Sequence, residues 1–321
     1  MSPDWADKTA QQLLGRGLLQ TGACLILGAV DTGKTTLALA LAKHLAASQP
    51  VGFVDADVGQ SHIGPPTTVG WALIDNPQAD FSKLTASGIS FVGDVTPVRH
   101  LLQLTAAIVR GVQEISKLAE LIIIDTPGFI QGQAATALWW TVYQIIKPAL
   151  ILAVQRSDEL SDILAGLMFS PRPLRQAQGR LCGGGTSAPG AEANNPRAGA
   201  RGLGRIEKIQ CPLDIPVKSP PERRCYRQSQ FSKYFRDFCY YDIDIKDVVI
   251  RTSWSLNRES LVNRLVGLRN QEGLDVAIGV ITDVRQGGDI VVVKAPRLDV
   301  QQVRCLVVGD IAADVAGASG G

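Results

Sequence analysis

The chain has 321 residues, of which 45% are hydrophobic and 19% charged, and its formal net charge is +2 at pH 7. This composition is ordinary for a globular protein of one large or two smaller domains, and it excludes disorder along the whole chain. No apolar run approaches the roughly 20 residues that span a bilayer, and the start of the chain lacks the order of a signal peptide. We therefore expect a cytoplasmic protein without a membrane contact.

Between residues 20 and 168, short apolar runs alternate with segments of helical periodicity. The runs that we predict as strands are 24–28, 51–55, 89–93, 121–125 and 149–154. Such alternation is typical of an α/β fold, in which helices cover both faces of a parallel sheet and ligands bind at the carboxyl ends of the strands. Further β-rich runs at 248–251, 276–281 and 290–293 predict a small C-terminal domain.

Residues 28–36 read G-A-V-D-T-G-K-T-T and contain a complete G-x-x-x-x-G-K-[ST] phosphate loop between a predicted strand and a predicted helix. In this setting, backbone N–H groups and the helix N-terminus surround phosphates, Lys34 reaches the β- and γ-phosphates, and Thr35 offers a hydroxyl to Mg²⁺. We predict a nucleoside triphosphate site. The residues assigned to it are Gly28, Asp31, Thr32, Gly33, Lys34, Thr35 and Thr36.

Acidic side chains follow two further predicted strands. Asp55 and Asp57 come at the end of one strand, and Asp125 ends another. Carboxylates at this edge can hold Mg²⁺ or accept a proton from an attacking hydroxyl, while Gln60 could orient a phosphate or the nucleophile. The predicted metal ligands are Thr35, Asp55, Asp57 and Asp125.

The segment D-T-P-G at 125–128 also resembles the D-x-x-G switch of GTPases. A GTPase would carry a guanine-reading N-K-x-D after a later strand, but residues 155–158 at that place read Q-R-S-D and match it poorly. Asp158 is at least as well suited to capping the next helix. Phe129, at the strand end, is a candidate for stacking on a base or for a place in the core.

A basic cluster follows at 218–227. Read as a helix that begins at Pro220, it places two arginines and three phenylalanines on one stripe, namely Arg224, Arg227, Phe231, Phe235 and Phe238. Arginines that face inward need anionic partners, and triphosphate oxygens are the obvious ones. The alternative is a solvated helix face or a set of structural salt bridges.

Together these motifs resemble those of the polynucleotide 5′-hydroxyl kinases of RNA processing. The segments that carry the resemblance are 28–36, 54–60, 93–100, 125–129 and 222–227. It implies a P-loop NTPase-type fold, ATP and Mg²⁺ as cofactors, and RNA or DNA with a 5′-hydroxyl end as acceptor. By the resemblance, Lys34 and Thr35 hold the ATP phosphates and Mg²⁺, and Asp57 is the acid near the acceptor hydroxyl, with Gln60 beside it.

The resemblance also implies a clasp and a lid. Thr96 and its surroundings, including His100, would clasp the nucleic-acid end, although an ordinary hydrogen-bonded role is the alternative for His100. Arg224 and Arg227 look like lid arginines that close over the transferring phosphate. Phe129 stands where many relatives carry tryptophan. The predicted catalytic residues are Lys34, Asp57, Gln60, Arg224 and Arg227, and the predicted substrate-binding residues are Thr96, His100 and Phe129.

The predicted domains are a P-loop kinase core at 1–169, a flexible low-complexity insertion at 170–205, the lid and return helix of the core at 206–245, and a β-rich domain at 246–321. Two other functions stay open. One is an ATP-binding scaffold without turnover, which would not need Asp57 together with both lid arginines. The other is a P-loop GTPase or ATPase switch.

Overall fold

The structure is a computed structural model that describes residues 3–168 and 204–313, except 79, 82, 83, 213, 253–257, 286 and 288. The predicted insertion at 170–205 lies outside the described residues, apart from its last two. The helices are α1 (Pro3–Gly15), α2 (Lys34–Leu45), α3 (Leu101–Ile115), α4 (Gly132–Ile146), α5 (Ser161–Met168), α6 (Pro220–Tyr234) and α7 (Arg258–Leu261). The strands are β1 (Gly22–Gly28), β2 (Val51–Asp55), β3 (Thr68–Ile74), β4 (Gly88–Phe91), β5 (Leu121–Asp125), β6 (Leu150–Gln155), β7 (Arg205–Gln210), β8 (Phe238–Asp244), β9 (Val249–Arg251), β10 (Arg264–Arg269), β11 (Asp275–Arg285), β12 (Ile290–Pro296) and β13 (Cys305–Ala312).

Five parallel strands form the centre of the sheet, in the order β7-β6-β1-β5-β2. Strands β2, β5 and β6 are buried along their whole length. Helices α1 and α2 pack on one face, and α3, α4 and α5 pack on the other. Strands covered on both faces need continuous apolar runs, which is why the sequence reveals them. The predicted α/β fold with helices on both faces of a parallel sheet is confirmed.

Strand β3 was not predicted. It lies antiparallel between β2 and β4, so the sheet is mixed on this side of its parallel centre. Its third residue, Gly70, comes so close to the preceding loop that a Cβ atom there would lie 1.9 Å from the Ile63 carbonyl oxygen. A glycine inside a strand weakens the periodic signal but permits this approach of a second backbone.

The C-terminal strands continue the same sheet. Strand β11 joins β4 by pairing Asp275 with Ile89, and β10, β12 and β13 follow in antiparallel order. Strand β8 pairs with β12, so the β-rich part begins inside the range that we predicted as lid and return helix. The β-rich character of this part is confirmed, while the domain boundaries stay predictions.

Helix α6 packs over the junction of these two parts. Phe231 and Phe235 are buried there against β4, β10 and β11, with their rings 6.3 Å apart. The helix ends at Tyr234, and Phe238 begins strand β8 with an exposed side chain. The prediction that Phe238 lies on the apolar stripe of this helix is therefore wrong. None of the helices in the described part of the chain is long and apolar enough to cross a membrane.

Candidate active site

The phosphate loop connects β1 to α2 and depends on its two glycines. A Cβ atom on Gly28 would lie 2.4 Å from the Val154 carbonyl oxygen, and Gly33 has a φ of 86°, a conformation that L side chains rarely adopt. The Thr32 hydroxyl donates to the Ala29 carbonyl at 3.0 Å and closes the turn. The first-turn N–H groups of α2 therefore face the loop interior, where phosphate oxygens can accept from them.

Lys34 is the first residue of α2 and is 6% exposed. Its Nζ donates to the Ala29 carbonyl at 2.7 Å, so the ammonium lies inside the loop. Burial lowers the pKa of Lys34, whereas the nearby carboxylates of Asp125 and Asp57 oppose that shift. The Lys34 amine thus lies where a triphosphate would lie. Thr36 follows in the same turn and is half-buried.

Thr35 and Asp125 form the second part of the site. The Thr35 hydroxyl donates to Asp125 Oδ2 at 2.5 Å, and Oδ1 of the fully buried Asp125 has no hydrogen-bond partner within the described residues. Mg²⁺ is typically bound through one or two carboxylates, waters and substrate phosphates rather than by an all-protein cage. The hydroxyl and the orphan oxygen fit that pattern. Consistently, no cluster of three or more His, Cys, Asp or Glu side chains in the described part is arranged to hold a metal.

Asp55 shapes the loop that follows β2 through backbone hydrogen bonds. It pairs with Asp125 across β2 and β5, but its Oδ2 accepts the N–H groups of His62 at 2.5 Å and Ile63 at 2.9 Å. Its Oδ1 accepts the N–H of Asp57 at 3.1 Å. Both oxygens are therefore engaged in shaping the loop that follows β2. This geometry gives Asp55 a structural role in the loop, while its assignment to the metal stays a prediction.

Asp57 and Gln60 lie on that loop, which we call the acid loop (residues 55–63). Asp57 Oδ1 accepts the N–H groups of Gly59 and Gln60 at 3.0 Å each, which leaves Oδ2 without a hydrogen bond in the described structure. Gln60 Oε1 accepts from Lys218 Nζ at 2.9 Å. The loop thus presents a fixed carboxylate oxygen beside the phosphate loop, as a proton acceptor requires.

The buried pair Asp55 and Asp125 predicts a dependence of stability on pH. Burial raises the pKa of Asp125 to about 7, and the Asp55 carboxylate adds to this shift, while Lys34 and the Thr35 hydroxyl oppose it. In the unfolded chain this carboxyl loses its proton near pH 4. The native state therefore holds more protons between about pH 4 and 7, and the free energy of unfolding falls as the pH rises through that window.

In EDTA, we expect the free energy of unfolding of the wild type to fall between pH 5 and pH 8. This fall should be roughly 2 kcal/mol larger than the fall for the Asp125→Asn variant. Urea unfolding at the two pH values measures both differences. Equal pH dependence in the two proteins would contradict the shifted pKa of Asp125.

The lid consists of Lys218, Ser219 and helix α6, and its helix has a well-defined N-terminus. Ser219 and Glu222 form a capping box at the N-terminus of α6, with Pro220 and Pro221 in its first turn. From this start, the Lys218 N–H and Arg223 Nη2 both donate to the Asp31 carboxylate, at 3.1 Å and 2.7 Å. The lid is therefore tied to the phosphate loop by a side chain that is 6% exposed.

The lid arginines differ from our prediction. Arg224 is exposed, so the prediction that it faces inward is wrong, and its contact with a triphosphate stays a prediction. Arg227 is half-buried, and its Nε has no hydrogen-bond partner among the described residues. Burial lowers the pKa of Arg227, and the neighbouring cations Arg224 and Arg223 add to this. A crowded, partly buried group of cations is a setting that favours an anion.

The acid loop and the lid also meet at an aromatic contact. The Tyr226 hydroxyl donates to the Ser61 carbonyl at 3.0 Å, and the Tyr226 ring lies 5.7 Å from the His62 ring. Burial lowers the pKa of His62, although Asp125 and Asp57 oppose the shift, and its buried Nδ1 has no partner in the described structure. His62 thus lies close to the acids of the site.

The predicted clasp contacts the acid loop on one side. A Cβ atom on Gly59 would lie 2.8 Å from the Val95 carbonyl oxygen, and the next residue, Thr96, is exposed. His100 is buried further along, close to Asp94 and Asp310. The structure thus brings Thr96 to the acid loop and separates His100 from it.

Phe129 lies close to the phosphate loop. A Cβ atom on the preceding Gly128 would lie 2.4 Å from Val30. The Phe129 side chain is half-buried and packs against the core, and its carbonyl accepts from Trp139 Nε1 at 2.7 Å. Both roles that we considered for it, stacking and packing, are compatible with this position.

Comparison with known proteins shows which proteins this chain is similar to. The family model for the P-loop of the mRNA cleavage and polyadenylation factor Clp1 matches residues 28–170. A polyribonucleotide 5′-hydroxyl kinase of Pyrococcus furiosus is 26% identical over 89% of this chain and 86% of its own length. One of Pyrococcus horikoshii is 35% identical, but over 46% of this chain and 41% of its own. This chain is therefore similar to the polynucleotide 5′-hydroxyl kinases, and its residues 28–170 match the Clp1 P-loop family. The predicted resemblance is confirmed.

Solved structures of the family share the fold. In the Clp1p–Pcf11p complex, a chain aligns with a TM-score of 0.65 at 11% identity, over 97% of this chain and 78% of the other. A second structure, of the extended interface between Pcf11p and Clp1p, gives a TM-score of 0.64 at 13% identity. At such identities the likeness establishes the fold alone.

Sequence reasoning missed three residues of the site. Arg223 could have been found, because it stands four residues before Arg227 and therefore shares its helix face. Lys218 was seen only as part of a basic cluster, and nothing local indicates its contact with Gln60. His62 follows the family motif by two residues, and nothing in the local sequence distinguishes it from an ordinary hydrogen-bonded histidine. Its position beside Asp57 and Asp125 becomes visible only after folding.

We expect the effects of replacing the lid arginines to rank by burial. Arg223→Gln and Arg227→Gln should each lower kcat by about 10- to 100-fold, because each removes a cation held near the phosphates. Arg224→Gln should cost less than either, since its side chain is exposed. Steady-state rates with saturating ATP and oligonucleotide measure the effect. Arg236→Gln, an exposed residue beyond the helix end, is the matched control, and a larger loss for Arg224 than for Arg227 would contradict the ranking.

Proposed function

We propose that this chain transfers the γ-phosphoryl group of ATP to the 5′-hydroxyl end of a polynucleotide. One observation carries the proposal. A phosphate loop with Lys34 and Thr35, a buried carboxylate at Asp125 and a carboxylate with a free oxygen at Asp57 meet at the carboxyl ends of β1, β5 and β2. A donor site and a proton acceptor thus lie side by side, as phosphoryl transfer requires.

The donor half supports ATP as the nucleotide, which the kinase family implies. The loop N–H groups and Lys34 would hold the phosphates, and Thr35 with Asp125 would hold Mg²⁺. When bound, Mg²⁺ neutralises charge on the transferring phosphoryl group. Arg223 and Arg227 of the lid would approach the same oxygens from the other side, and closing the lid excludes water as a competing acceptor.

The acceptor half centres on Asp57. The oxygen of the 5′-hydroxyl forms a bond to the γ-phosphorus, and the bond from that phosphorus to the bridging oxygen breaks, so ADP leaves. The hydroxyl proton goes to Asp57 Oδ2, whose position the Gly59 and Gln60 N–H groups fix through Oδ1. Thr96, next to the acid loop, would hold the end of the nucleic acid. We take RNA as the first acceptor, because the curated relatives are named polyribonucleotide kinases.

One assay tests this function. The protein is incubated with γ-labelled ATP, Mg²⁺ and oligonucleotides of one sequence as RNA and as DNA, each with a 5′-hydroxyl. The same oligonucleotides with a 5′-phosphate are the matched control. We expect label on the 5′-hydroxyl RNA and none on the control. Tight ATP binding without any labelled acceptor would overturn the kinase proposal.

A scaffold is the second candidate, because the solved neighbours are described in complex with Pcf11p. ATP that stays bound and unhydrolysed, with no labelled acceptor, is its expected result. The switch has less support. Where a GTPase would read guanine, Arg156 instead donates to the Asp31 carbonyl at 2.5 Å and caps the phosphate loop. GTP-selective hydrolysis without an acceptor would be the result that favours a switch. A cytoplasmic location stays a prediction.

A further inference from the structure

A cavity of about 370 Å³ lies between α3 and strand β13, away from the phosphate loop. Its walls are the segment 90–93, the side of α3 that carries Gln103 and Arg110, and residues 307–310 of β13. It therefore lies at the junction of the kinase core and the C-terminal strands. None of the steps of phosphoryl transfer described above uses it.

The cavity has an excess of positive charge. Three arginines line it, and Asp310 is the one carboxylate among the described residues of its lining. Arg269 is neutralised by Asp275, to which it donates at 3.0 Å and 2.8 Å. Arg110 and Arg251 make no hydrogen bond or ion pair within the described part of the chain. Asp275 acts on Arg110 only through space, so two guanidinium groups without a hydrogen-bonded carboxylate line the cavity, a setting that favours an anion.

A buried histidine adds a second, independent indication. The His100 side chain is 5% exposed and lines the cavity, yet neither of its ring nitrogens has a hydrogen-bond partner among the described residues. Nε2 lies 3.4 Å from Asp310 Oδ2 and 3.7 Å from Asp94 Oδ2, without hydrogen-bond alignment. A buried polar atom without a partner costs stability, and a ligand in the cavity would remove that cost by hydrogen-bonding to the ring.

The loop 93–100 connects this cavity to the acid loop. Its Val95 carbonyl packs against Gly59, whereas a Cβ atom on Gly93 would lie 3.3 Å from Gly309 in the cavity wall. Gly93 and Val95 are two residues apart, so their Cα atoms are separated by at most about 7 Å. A polynucleotide whose 5′ end lies at Asp57 can therefore reach the cavity within a few nucleotides.

We propose that this cavity binds a backbone phosphate of the polynucleotide, a few nucleotides downstream of the reacting 5′-hydroxyl, through Arg110, Arg251 and His100. The proposal rests on the proposed function, because it assumes a nucleic acid in the acceptor site. Phosphate contacts of this kind set position and affinity without reading sequence. The cavity would thus make the enzyme prefer longer acceptors to the shortest ones.

The test compares short and long acceptors in the double variant Arg110→Gln/Arg251→Gln. Fluorescence anisotropy with labelled 5′-phosphorylated RNA of two and six nucleotides, without ATP, measures affinity separately from catalysis. We expect the affinity for the hexanucleotide to fall at least tenfold and that for the dinucleotide to change less than twofold. The slope of log affinity against log salt should fall by roughly 0.7 for the hexanucleotide, as expected for one phosphate contact on a single strand. Arg297→Gln, an exposed arginine outside the cavity lining, is the matched control.

Other outcomes overturn the proposal. If wild type and the double variant bind the hexanucleotide with equal affinity, the cavity does not contact the RNA. The same conclusion follows if the double variant loses affinity for the dinucleotide and the hexanucleotide by the same factor. Inorganic phosphate alone is the second probe. If it raises the unfolding temperature of wild type but not of the double variant, while RNA affinity is the same in both, the cavity takes free phosphate instead. Failure of the kinase assay with intact length-dependent RNA binding would refute the proposed function and leave the cavity proposal standing.

Discussion

Replacing Lys34 with alanine should lower kcat/KM for polynucleotide phosphorylation by about 10³-fold or more. The Lys34 ammonium lies inside the phosphate loop, 2.7 Å from the Ala29 carbonyl oxygen, where it can contact the β- and γ-phosphates. Charge on the transferring group grows at that place during the reaction, and losing about 4 kcal/mol of its stabilisation corresponds to the expected factor. Initial rates of label transfer from ATP to a 5′-hydroxyl oligonucleotide measure it.

The fold should survive this substitution. Burial lowers the pKa of Lys34, which means that the charged amine is held there at a cost, and alanine is a good helix former. The unfolding temperature should therefore stay close to that of wild type. Lys43→Ala, an exposed position in the last turn of the same helix, is the matched control and should keep full activity. If Lys34→Ala retains more than about a tenth of the rate, Lys34 does not contact the transferring phosphate or a contaminant supplies the activity.

The donor half of the site could be predicted from the sequence because it is local. The phosphate loop, its lysine and its threonine occupy nine consecutive residues, and the strand and helix on either side are strongly apolar. The motif therefore defines both the backbone conformation and the side chains that it presents. The same is true of Asp57, since backbone N–H groups only two and three residues further along hold its carboxylate.

The remaining contacts of the site are not local. Arg223 reaches Asp31 across 192 residues of sequence, and Lys218 reaches Gln60 across 158. The periodicity of either segment does not predict these two contacts. They depend on where α6 lies on the sheet, and the segment at 170–205 separates α6 from the phosphate loop in sequence. The sequence showed a helix with arginines, but only the burial of Phe231 determines which arginines turn toward the phosphate loop.

The strands of the fold also differ in whether a local sequence pattern reveals them. The buried parallel strands are continuous apolar runs and were predicted nearly to their ends, whereas β8, β10 and β13 were missed. Strand β8 alternates exposed and half-buried residues, so its signal is weak. That β11 continues the core sheet depends on Asp275, which accepts the Phe91 N–H at 2.8 Å while it pairs with Arg269. Such a junction is set by tertiary packing and leaves no local pattern.

Replacing Asp57 with asparagine should lower kcat by about 10²- to 10⁴-fold with little change in ATP affinity. Asparagine keeps a carbonyl oxygen that can accept the Gly59 and Gln60 N–H groups, so the acid loop should keep its shape. It cannot take the proton of the 5′-hydroxyl, because the amide replaces the free carboxylate oxygen. The measurement separates the two effects: kcat comes from label transfer, and the ATP dissociation constant comes from calorimetry on the same preparation.

The control for this variant is Asp244→Asn. Asp244 also accepts a backbone N–H from two residues further along, that of Lys246 at 2.9 Å, but it lies in the C-terminal strands. Its activity should equal that of wild type. Asp55→Asn makes the sharper contrast. Since both Asp55 oxygens accept backbone N–H groups, that variant should lose stability as well as rate, whereas Asp57→Asn should lose rate alone. Equal rates for Asp57→Asn and wild type would remove Asp57 from the chemical step and leave the 5′-hydroxyl without a proton acceptor on the acid loop.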